Sequence, residues 1–464
     1  MTPHISCAEA QTAVRGRWIR NAAPKDKVIS SITSDSRRPC PGALFLALPG
    51  EKFDGHAFLA DAIKQGAEVL CVVEEKLPKD LNIPENVSVL AVNETVAAYQ
   101  SLANFHRHRF PSLPVAAVTG SSGKTSTKEM LRAIFAAAYG AEAVCATEGN
   151  TNNHVGVPQN LLRLTPEHKA CIIEMGSNHH GEIAPLSRCA EPDAALITCI
   201  GRCHLEHFGD LDGVAREKSS IFSFLKPGGT AVIPKDCPQR KILEDAAKGK
   251  KILYFGNTPD CDVQSIYSGG HLHGSSFELH WKNGPSHKIS WRLTGAHQAL
   301  NAAGAACAAG ALGVSPEKIA AGLAECSLPG MRMRVSEKGG ITWINDAYNA
   351  NPDSMAACLA WLSEFAHPEK LILVLGDMLE IGSTAAQSHT ETLQKAAKLI
   401  PGARIVAVGP MMLAAADSLS GLTAAKCGSS AEAAPLVQAL ARPGDMVFLK
   451  ASRGTKLEVV EPAQ

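Results

Sequence analysis

The chain has 464 residues, of which 45% are hydrophobic and 19% are charged, an ordinary composition for a globular protein of about three domains. Its 45 Lys and Arg residues balance 45 Asp and Glu residues, so no net positive charge is available to hold nucleic acid or an anionic membrane. No apolar stretch reaches the roughly 18 residues of a membrane helix. Residues 1–8 lack the basic start and apolar core of a signal peptide. We therefore expect a cytoplasmic protein without nucleic-acid partners or membrane insertion.

The first part of the chain, residues 1–110, is a series of short apolar segments separated by turn residues. Such segments are typical of buried strands. A helical pattern follows them, and Pro111 and Pro114 then mark a linker. We predict a small α/β domain here. Its predicted strands lie at residues 43–47, 69–73 and 87–92, and its predicted helix lies at residues 95–108.

Residues 118–127 read VTGSSGKTST and carry the most specific signal in the sequence. An apolar run precedes them, and apolar residues recur at helical spacing after them. Strand, glycine loop and helix form the context of a phosphate-binding loop, in which backbone N–H groups and the helix N-terminus face one anion. Only two residues separate Gly120 from Gly123, where the general motif has four, so this is a shortened variant. The predicted nucleotide-binding residues are Gly120, Ser121, Ser122, Gly123, Lys124, Thr125 and Ser126.

The central part, residues 111–328, alternates predicted strands with helices, which indicates a parallel sheet with crossover helices. Ligands bind such sheets beyond the carboxyl ends of the strands. One predicted strand ends at Glu174 and another leads to His204, so both side chains are expected beside the phosphate-binding loop. Lys124 is expected to reach the β- and γ-phosphates, while Thr125 and Glu174 offer hard oxygen ligands for Mg²⁺.

Three other features of the central part have ordinary explanations. Residues 255–293 are rich in Gly, Ser and His and predict a polar antiparallel excursion. Lys218 lies on a helical segment at residues 214–222 and reads, from the residues alone, as an ordinary helical lysine. The fourteen cysteines are scattered, and the nearest approach to a zinc motif, at residues 199–204, has poor spacing and no fourth ligand. We expect reduced, mostly buried thiols.

The last part, residues 329–464, again alternates strands with helices and predicts a small Rossmann-like, doubly wound domain. No G-x-G-x-x-G motif follows a strand there, so dinucleotide binding is not indicated. The predicted strands lie at residues 341–346, 371–375, 403–408 and 446–450.

These motifs resemble those of the Mur ligases, the ATP-dependent amide-forming enzymes of peptidoglycan synthesis, over nearly the whole chain. Within that family, the two serines of the loop and the segments 348–352 (YNANP) and 376–378 (GDM) resemble the branch that adds D-alanyl-D-alanine. Residues 34–37 (SDSR) and 54–56 (DGH) are similar to its uridine-nucleotide-binding domain. The other matching positions are residues 119–125, 150–153, 156–158, 174–176, 215–218, 295–297, 346–352 and 375–380, with His204, Asn301 and Arg332.

The resemblance implies a role for each matching position. Residues 120–126 would hold ATP, with Arg332 at the γ-phosphate, Asp346 at the ribose, and His297 and Asn301 near the adenine. Gln298 stands where the family often has Asn, which leaves the contact length there open. The implied catalytic residues are Lys124, Glu174, His204, Lys218 and Arg332. The implied ligands of two Mg²⁺ ions are Thr125, Glu174, His204 and Lys218, the last as a carbamylated lysine. The implied substrate contacts are Ser36, Arg37, Asn152, Asn153, Asn349 and Asn351.

The implied reaction joins D-alanyl-D-alanine to a UDP-N-acetylmuramoyl-tripeptide through an acyl phosphate, in a monomer of three domains. A related ligase with another amine substrate, such as folylpolyglutamate synthetase or the diaminopimelate-adding enzyme, is an alternative that residues 348–352 disfavour. A nucleotide-switch or motor ATPase would need neither residues 150–153 nor a uridine-type N-terminal domain. A binding protein without catalysis would not be expected to keep the loop lysine and the acidic strand end together.

Overall fold

The computed structural model describes residues 5–22, 24–50, 53–330, 332–419, 421 and 424–462. Within these ranges the chain forms sheets of five, nine and six strands and a two-stranded ribbon, which confirms the predicted α/β class. The sequence argument against a signal peptide uses residues 1–8, of which residues 1–4 lie outside the described ranges. No helix in the described ranges is both long enough and apolar enough to cross a membrane.

The first sheet has the strand order β2-β7-β6-β5-β4, parallel except for β2. Because β4, β5 and β6 are parallel neighbours, the segments that follow them emerge at one edge. The strands and helices of this part are β1 Ile5–Ser6, α1 Cys7–Val14, β2 Arg17–Arg20, β3 Val28–Ile29, β4 Ile32–Thr33, β5 Leu44–Leu46, α2 Leu59–Lys64, β6 Val69–Val72, β7 Ser88–Ala91 and α3 Thr95–Arg107.

Helix α3 packs in a hydrophobic core that the first sheet shares with the central sheet. Leu102 on α3 belongs to the same buried cluster as Leu46 of β5 and Cys171 of the central sheet. Arg107, at the end of α3, is fully buried; it donates hydrogen bonds to the carbonyls of Ala190, Phe110 and Leu113 and pairs with Asp193 at 3.5 Å. The first two parts of the chain are thus held together by a shared core.

The central sheet has nine strands in the order β16-β15-β14-β13-β12-β11-β8-β10-β9. Strands β8 to β14 pair in parallel, while β14, β15 and β16 form the predicted antiparallel excursion. Its elements are β8 Val115–Thr119, α4 Lys124–Tyr139, β9 Val144–Ala146, α5 Gly156–Leu161, β10 Ala170–Glu174, α6 Ile183–Ala190, β11 Ala194–Ile197, α7 Leu205–Phe208, α8 Leu211–Ser219, β12 Thr230–Pro234, α9 Arg240–Ala246, β13 Lys251–Gly256, β14 Val263–His271, β15 Gly274–Trp281, β16 Ser286–Trp291, α10 Ala296–Ala311 and α11 Pro316–Ala324.

The third sheet has the order β17-β18-β22-β19-β20-β21 and is parallel except for β17. The elements of the third part are β17 Arg334–Lys338, β18 Ile341–Asn345, α12 Pro352–Leu362, β19 Leu371–Gly376, α13 Ala385–Leu399, β20 Arg404–Val408, α14 Pro410–Asp417, β21 Ala425–Cys427, α15 Ser430–Leu440 and β22 Met446–Lys450.

All fourteen cysteines of the chain are free thiols, twelve of them buried and two half-buried, as the sequence predicts.

Candidate functional site

A cleft of about 740 Å³ lies between the carboxyl edges of the central and third sheets. It forms there because Val118 of β8 lies opposite both Glu174 of β10 and Leu196 of β11, so the loops after these three strands leave the sheet together. The cleft is lined by most of the predicted site residues, namely Ser121, Ser122, Gly123, Lys124, Thr125, Ser126, Asn152, Asn153, Glu174, His204, His297, Asn301, Arg332, Asp346, Asn349 and Asn351.

The phosphate-binding loop needs both of its glycines. Gly120 has φ 145° and Gly123 has φ 81°, values that side chains disfavour. A Cβ atom on Gly120 would lie 2.0 Å from Thr198 Oγ1, and one on Gly123 would lie 2.6 Å from Asn301 Oδ1. Lys124 begins α4 and donates to the Gly120 carbonyl at 2.8 Å, which keeps its ammonium over the loop.

The two serines of the loop are bonded to other parts of the protein. Ser121 Oγ donates to the Gly201 carbonyl at 3.0 Å and accepts from the Gly201 N–H at 2.9 Å. Ser122 Oγ accepts from Asn351 Nδ2, at the start of α12, at 3.0 Å. These hydroxyls therefore fix the loop, and its backbone N–H groups and Lys124 are what it offers to an anion.

Glu174 and Thr125 form an oxygen-rich pair beside the loop. The Thr125 hydroxyl donates to Glu174 Oε1 at 3.2 Å, and Asn152 Nδ2 donates to the same oxygen at 2.8 Å. Glu174 is 1% exposed, and its Oε2 is buried with no hydrogen-bond partner among the described residues. A buried carboxylate oxygen without a partner is costly, and a hard cation would satisfy it. The donor set therefore fits Mg²⁺.

His204 lines the same cleft, on the loop after β11, in a left-handed conformation with φ 49°. Its Nδ1 is 2.6 Å from Glu380 Oε2, on the loop after β19. Burial lowers the pKa of His204 to about 4, so the ring is neutral at pH 7. With Nδ1–H donating to the carboxylate, the Nε2 lone pair remains for a ligand.

Lys218 is not the ordinary helical lysine that its residue type alone predicts. It is 1% exposed and lies under the cleft, where its Nζ donates to Ser177 Oγ at 2.7 Å. Burial, assisted by the charge of Lys124, lowers its pKa to about 8. The signal was present in the sequence, because residue 218 shares a helix face with Val214, Ile221 and Phe222, all of which are buried.

Glu217, next to Lys218, is a structural residue that the sequence analysis missed. Its carboxylate accepts from the N–H groups of Gly181, Glu182 and Ile183 at 2.7, 3.1 and 2.9 Å, and so caps the N-terminus of α6 from another helix. Lys218 binds Ser177 at the other end of the same loop. Helix α8 therefore fixes residues 177–183 at both ends, through partners that lie too far away in sequence for a local pattern to indicate.

The third sheet contributes Arg332 and Asp346 to the cleft. Arg332 Nη2 donates to Thr125 Oγ1 at 3.0 Å, and its guanidinium lies 4.3 Å from the centre of the Tyr348 ring. Asp346 accepts from the Met333 N–H at 3.2 Å and pairs with Lys450, which is 3% exposed. Burial alone would lower the pKa of Lys450, but the charge of Asp346 raises it. Lys450 is a second residue that the sequence analysis missed.

The loop after β11 makes further contacts across the cleft. The backbone N–H of Arg202 donates to Asp353 Oδ2 at 2.7 Å, and its guanidinium reaches Asp353 at 3.3 Å and Glu391 at 3.1 Å. With the pairs His204–Glu380 and Arg332–Thr125, these contacts close the third sheet against the phosphate-binding loop.

The residues expected at the adenine are close to the loop. His297 is half-buried, and burial lowers its pKa to about 4. Asn301 Nδ2 donates to Gln298 Oε1 at 3.3 Å, and its side chain packs under Gly123.

Most of the residues predicted to contact the other substrate also line the cleft. Asn153 Oδ1 caps the start of α5 by accepting from Gly156 N–H at 2.9 Å, and Asn351 Oδ1 caps α12. Asn349 is exposed, while Asn152 is bonded to Glu174. Ser36 and Arg37 do not line the cleft; they follow β4 of the first sheet, where Arg37 pairs with Asp35 at 2.8 Å.

The described part of the chain has no cluster of three or more His, Cys, Asp or Glu side chains suited to a metal. The proposed Mg²⁺ ligands are fewer and include a hydroxyl, so they are not such a cluster.

Comparison with known proteins decides the family. A bacterial relative in Bacillus subtilis (strain 168), UDP-N-acetylmuramoyl-tripeptide–D-alanyl-D-alanine ligase, is 33% identical over 450 residues, which is 95% of this chain and 94% of the relative. The relative of the same name in Escherichia coli (strain K12) is 37% identical over 83% of this chain and 82% of its own length. The chain belongs to the Mur ligase family.

Family models match this Mur ligase in three stretches. They are the Mur ligase family catalytic domain at residues 28–108, the Mur ligase middle domain at 118–309 and the Mur ligase glutamate ligase domain at 331–453. Among solved structures, MurF from Acinetobacter baumannii superposes with a TM-score of 0.88 at 34% identity, covering 99% of this chain and 98% of that one. MurF from Thermotoga maritima, solved with ADP, gives 0.79 at 26% identity, over 92% and 95%.

Proposed function

We propose that this Mur ligase joins D-alanyl-D-alanine to UDP-N-acetylmuramoyl-tripeptide, with hydrolysis of ATP to ADP and phosphate, in the synthesis of the peptidoglycan precursor. Two relatives that match over most of this chain carry that activity in their names. The observation that supports it best is the cleft itself, where Arg332 of the third sheet reaches Thr125 beside the phosphate-binding loop. ATP would lie along residues 120–126, and the tripeptide carboxylate would face its γ-phosphate.

The first step is activation of the tripeptide carboxylate. One of its oxygens attacks the γ-phosphorus of ATP, ADP leaves, and an acyl phosphate forms. Lys124 and Arg332 neutralise charge that builds up on the phosphoryl oxygens. Thr125 and Glu174 would hold one Mg²⁺, and His204 with carbamylated Lys218 a second; such cations supply further neutralisation of the triphosphate.

The second step is attack by the amine of the dipeptide on the acyl carbon, followed by loss of phosphate. An acyl phosphate hydrolyses if water reaches it. The contacts of Arg202, His204 and Arg332 across the cleft hold the third sheet over the loop, and this supports a closed state in which both substrates are shielded. Asn152, Asn153, Asn349 and Asn351 are proposed to contact the acceptor substrate, and Ser36 and Arg37 its uridine nucleotide.

The carbamylation of Lys218 follows from the same proposal. Carbon dioxide reacts with a neutral amine, and a lysine with pKa about 8 has a far larger neutral fraction at pH 7 than one with the ordinary value. We expect labelled bicarbonate to give a carbamate NMR signal that Lys218→Met removes. Chemical rescue of an inactive Lys218→Ala variant by short carboxylic acids would support an anionic role; rescue by primary amines instead would contradict it.

Three further expectations belong to this proposal. The domains would span residues 1–110, 111–328 and 329–464. The enzyme would act as a monomer, because a single cleft within one chain already holds most of the predicted site residues. It would work in the cytoplasm, where ATP and nucleotide-linked precursors are made.

A ligase for a different amine is the alternative from the sequence, and the comparisons do not favour it. The diaminopimelate ligase and the Mycobacterium tuberculosis folylpolyglutamate synthase superpose at 19% and 17% identity, which shows the common fold alone. The test is ADP release with UDP-N-acetylmuramoyl-tripeptide and a panel of amines. Release that depends on D-alanyl-D-alanine, with a product heavier by one dipeptide less water, supports the proposal. Equal release without any amine would refute it.

A further inference from the structure

The C-terminal side of the cleft carries an arginine to which neither the sequence nor the proposed mechanism assigns a role. Arg453 follows β22 and lines the cleft. The residue before it is firmly held: Ser452 N–H donates to the Asp377 carbonyl at 2.9 Å, and Ser452 Oγ accepts from Leu379 N–H at 2.9 Å and donates to the Ala350 carbonyl at 3.2 Å. The backbone that carries Arg453 is therefore fixed between the ends of neighbouring strands.

Three other cationic side chains of the cleft already have partners in its nucleotide half. Lys124 lies over the phosphate-binding loop, Arg332 is bonded to Thr125, and Lys450 is buried against Asp346. Arg453 is 56% exposed. Burial raises the pKa of the Tyr348 phenol, and the charges of Arg332 and Arg453 both oppose that rise. The two guanidinium groups therefore act on one ring within the cleft.

The surroundings of Arg453 suit a small ligand that combines a carboxylate with methyl groups. Its Nη1 already binds a carboxylate oxygen, Glu458 Oε1, at 2.9 Å. This ion pair is partly exposed, and such pairs are weak enough for a substrate carboxylate to compete with them. Beside it, Leu379 is 39% exposed, and a Cβ atom on Gly454 would lie 2.8 Å from Leu379 Cδ1. The cleft wall next to the Arg453 guanidinium is therefore apolar, and Leu379 packs closely against Gly454 there.

We propose that Arg453 binds the C-terminal carboxylate of the dipeptide substrate and so directs its amine toward the acyl carbon near Arg332 and Lys124. This inference rests on the proposed function and names the residue that selects a dipeptide acid. A planar guanidinium binds a carboxylate through two parallel hydrogen bonds, which a lysine cannot reproduce. Leu379 would contact the methyl group of the last residue.

The experiment compares D-alanyl-D-alanine with its C-terminal amide as substrates of the wild-type chain, Arg453→Met and Arg453→Lys. Hydrogen bonds between charged groups imply that the wild type prefers the acid over the amide by about tenfold or more in kcat/KM. Arg453→Met should lose this preference, with a KM for the acid raised by about the same factor. The KM for ATP should stay within about twofold, since the nucleotide contacts are untouched.

Glu458→Gln is the matched control, because it removes the partner of Arg453 and leaves the guanidinium in place. Its KM for the dipeptide should be unchanged or lower, since a competing carboxylate is gone. If Arg453→Met does not fold, Arg453→Lys carries the test, with an intermediate preference for the acid. A wild-type preference that survives in both variants would overturn the inference, while absence of dipeptide-dependent ADP release in the wild type would instead refute the proposed function.

Discussion

Replacing Glu217 by alanine is expected to loosen the start of α6, Ile183–Ala190. The carboxylate accepts hydrogen bonds from the N–H groups of Gly181, Glu182 and Ile183. Of these residues, Gly181 is exposed, Glu182 is half-buried and Ile183 is buried. Water can replace the acceptor at Gly181, so two donors lose theirs. At about 1–3 kcal/mol for each buried donor left unsatisfied, the loss is about 2–4 kcal/mol after allowance for partial access of water. Glu217→Gln keeps one oxygen and should lose about half as much.

Amide hydrogen exchange over α6 measures this loss locally, without requiring the whole chain to unfold in one step. Since 1.4 kcal/mol is a factor of ten, exchange at α6 should become roughly 30- to 700-fold faster in Glu217→Ala. The exposed Glu142, in the turn before β9, offers a control, and Glu142→Ala should leave α6 unchanged. Protection at α6 within about threefold of wild type in Glu217→Ala would refute the capping argument.

Three other predictions follow from contacts across the cleft and from buried groups. Arg332→Ala should lower kcat for ATP-dependent turnover by about 100-fold, because it removes from the phosphoryl group the guanidinium that reaches Thr125; unchanged turnover would contradict the role proposed for Arg332 at the γ-phosphate. Arg202→Gln, which loses the partly exposed pairs with Asp353 and Glu391, should raise the KM for ATP only about two- to fivefold, and less at high salt. Arg240→Gln, whose pair with Glu244 lies within one helix, is its control and should have no effect. Finally, burial lowers the pKa values of His204 and His297 to about 4 from 6.5. The unfolded chain therefore binds more protons between these values, and the unfolding free energy should be highest above pH 6.5 and fall toward pH 4. His297→Gln should flatten that slope, as urea midpoints at each pH would show.

The main features of the cleft were predictable because they follow from short patterns and one topological rule. The loop at residues 120–126 is recognisable from its glycines, lysine and threonine, and the strand-end rule correctly brings Glu174 and His204 beside it. The alternation of strands with helices predicts the parallel order of the central and third sheets. These features depend on short local patterns and on the strand-end rule, and none of them requires a particular side-chain contact between distant positions.

What sequence reasoning missed depends on partners distant in sequence. Glu380 reaches His204 across 176 positions, and Lys450 reaches Asp346 across 104. Nothing near Glu217 indicates that it caps another helix. The shared core around α3 is similar, because a helix at the end of one predicted domain gives no local sign that it packs against the next. Such contacts are properties of the fold, and a single sequence does not specify them by spacing.

The most direct test of the proposed activity follows an oxygen atom. UDP-N-acetylmuramoyl-tripeptide is prepared with heavy oxygen in its terminal carboxylate and incubated with ATP, Mg²⁺ and D-alanyl-D-alanine. Attack of the carboxylate on the γ-phosphorus, followed by loss of phosphate from the acyl carbon, moves one labelled oxygen into each phosphate released together with a new amide. Phosphate that carries one labelled oxygen for each amide formed is the expected result. Unlabelled phosphate, with its oxygen drawn from water, would contradict activation of the carboxylate and with it the ligase mechanism proposed for this cleft.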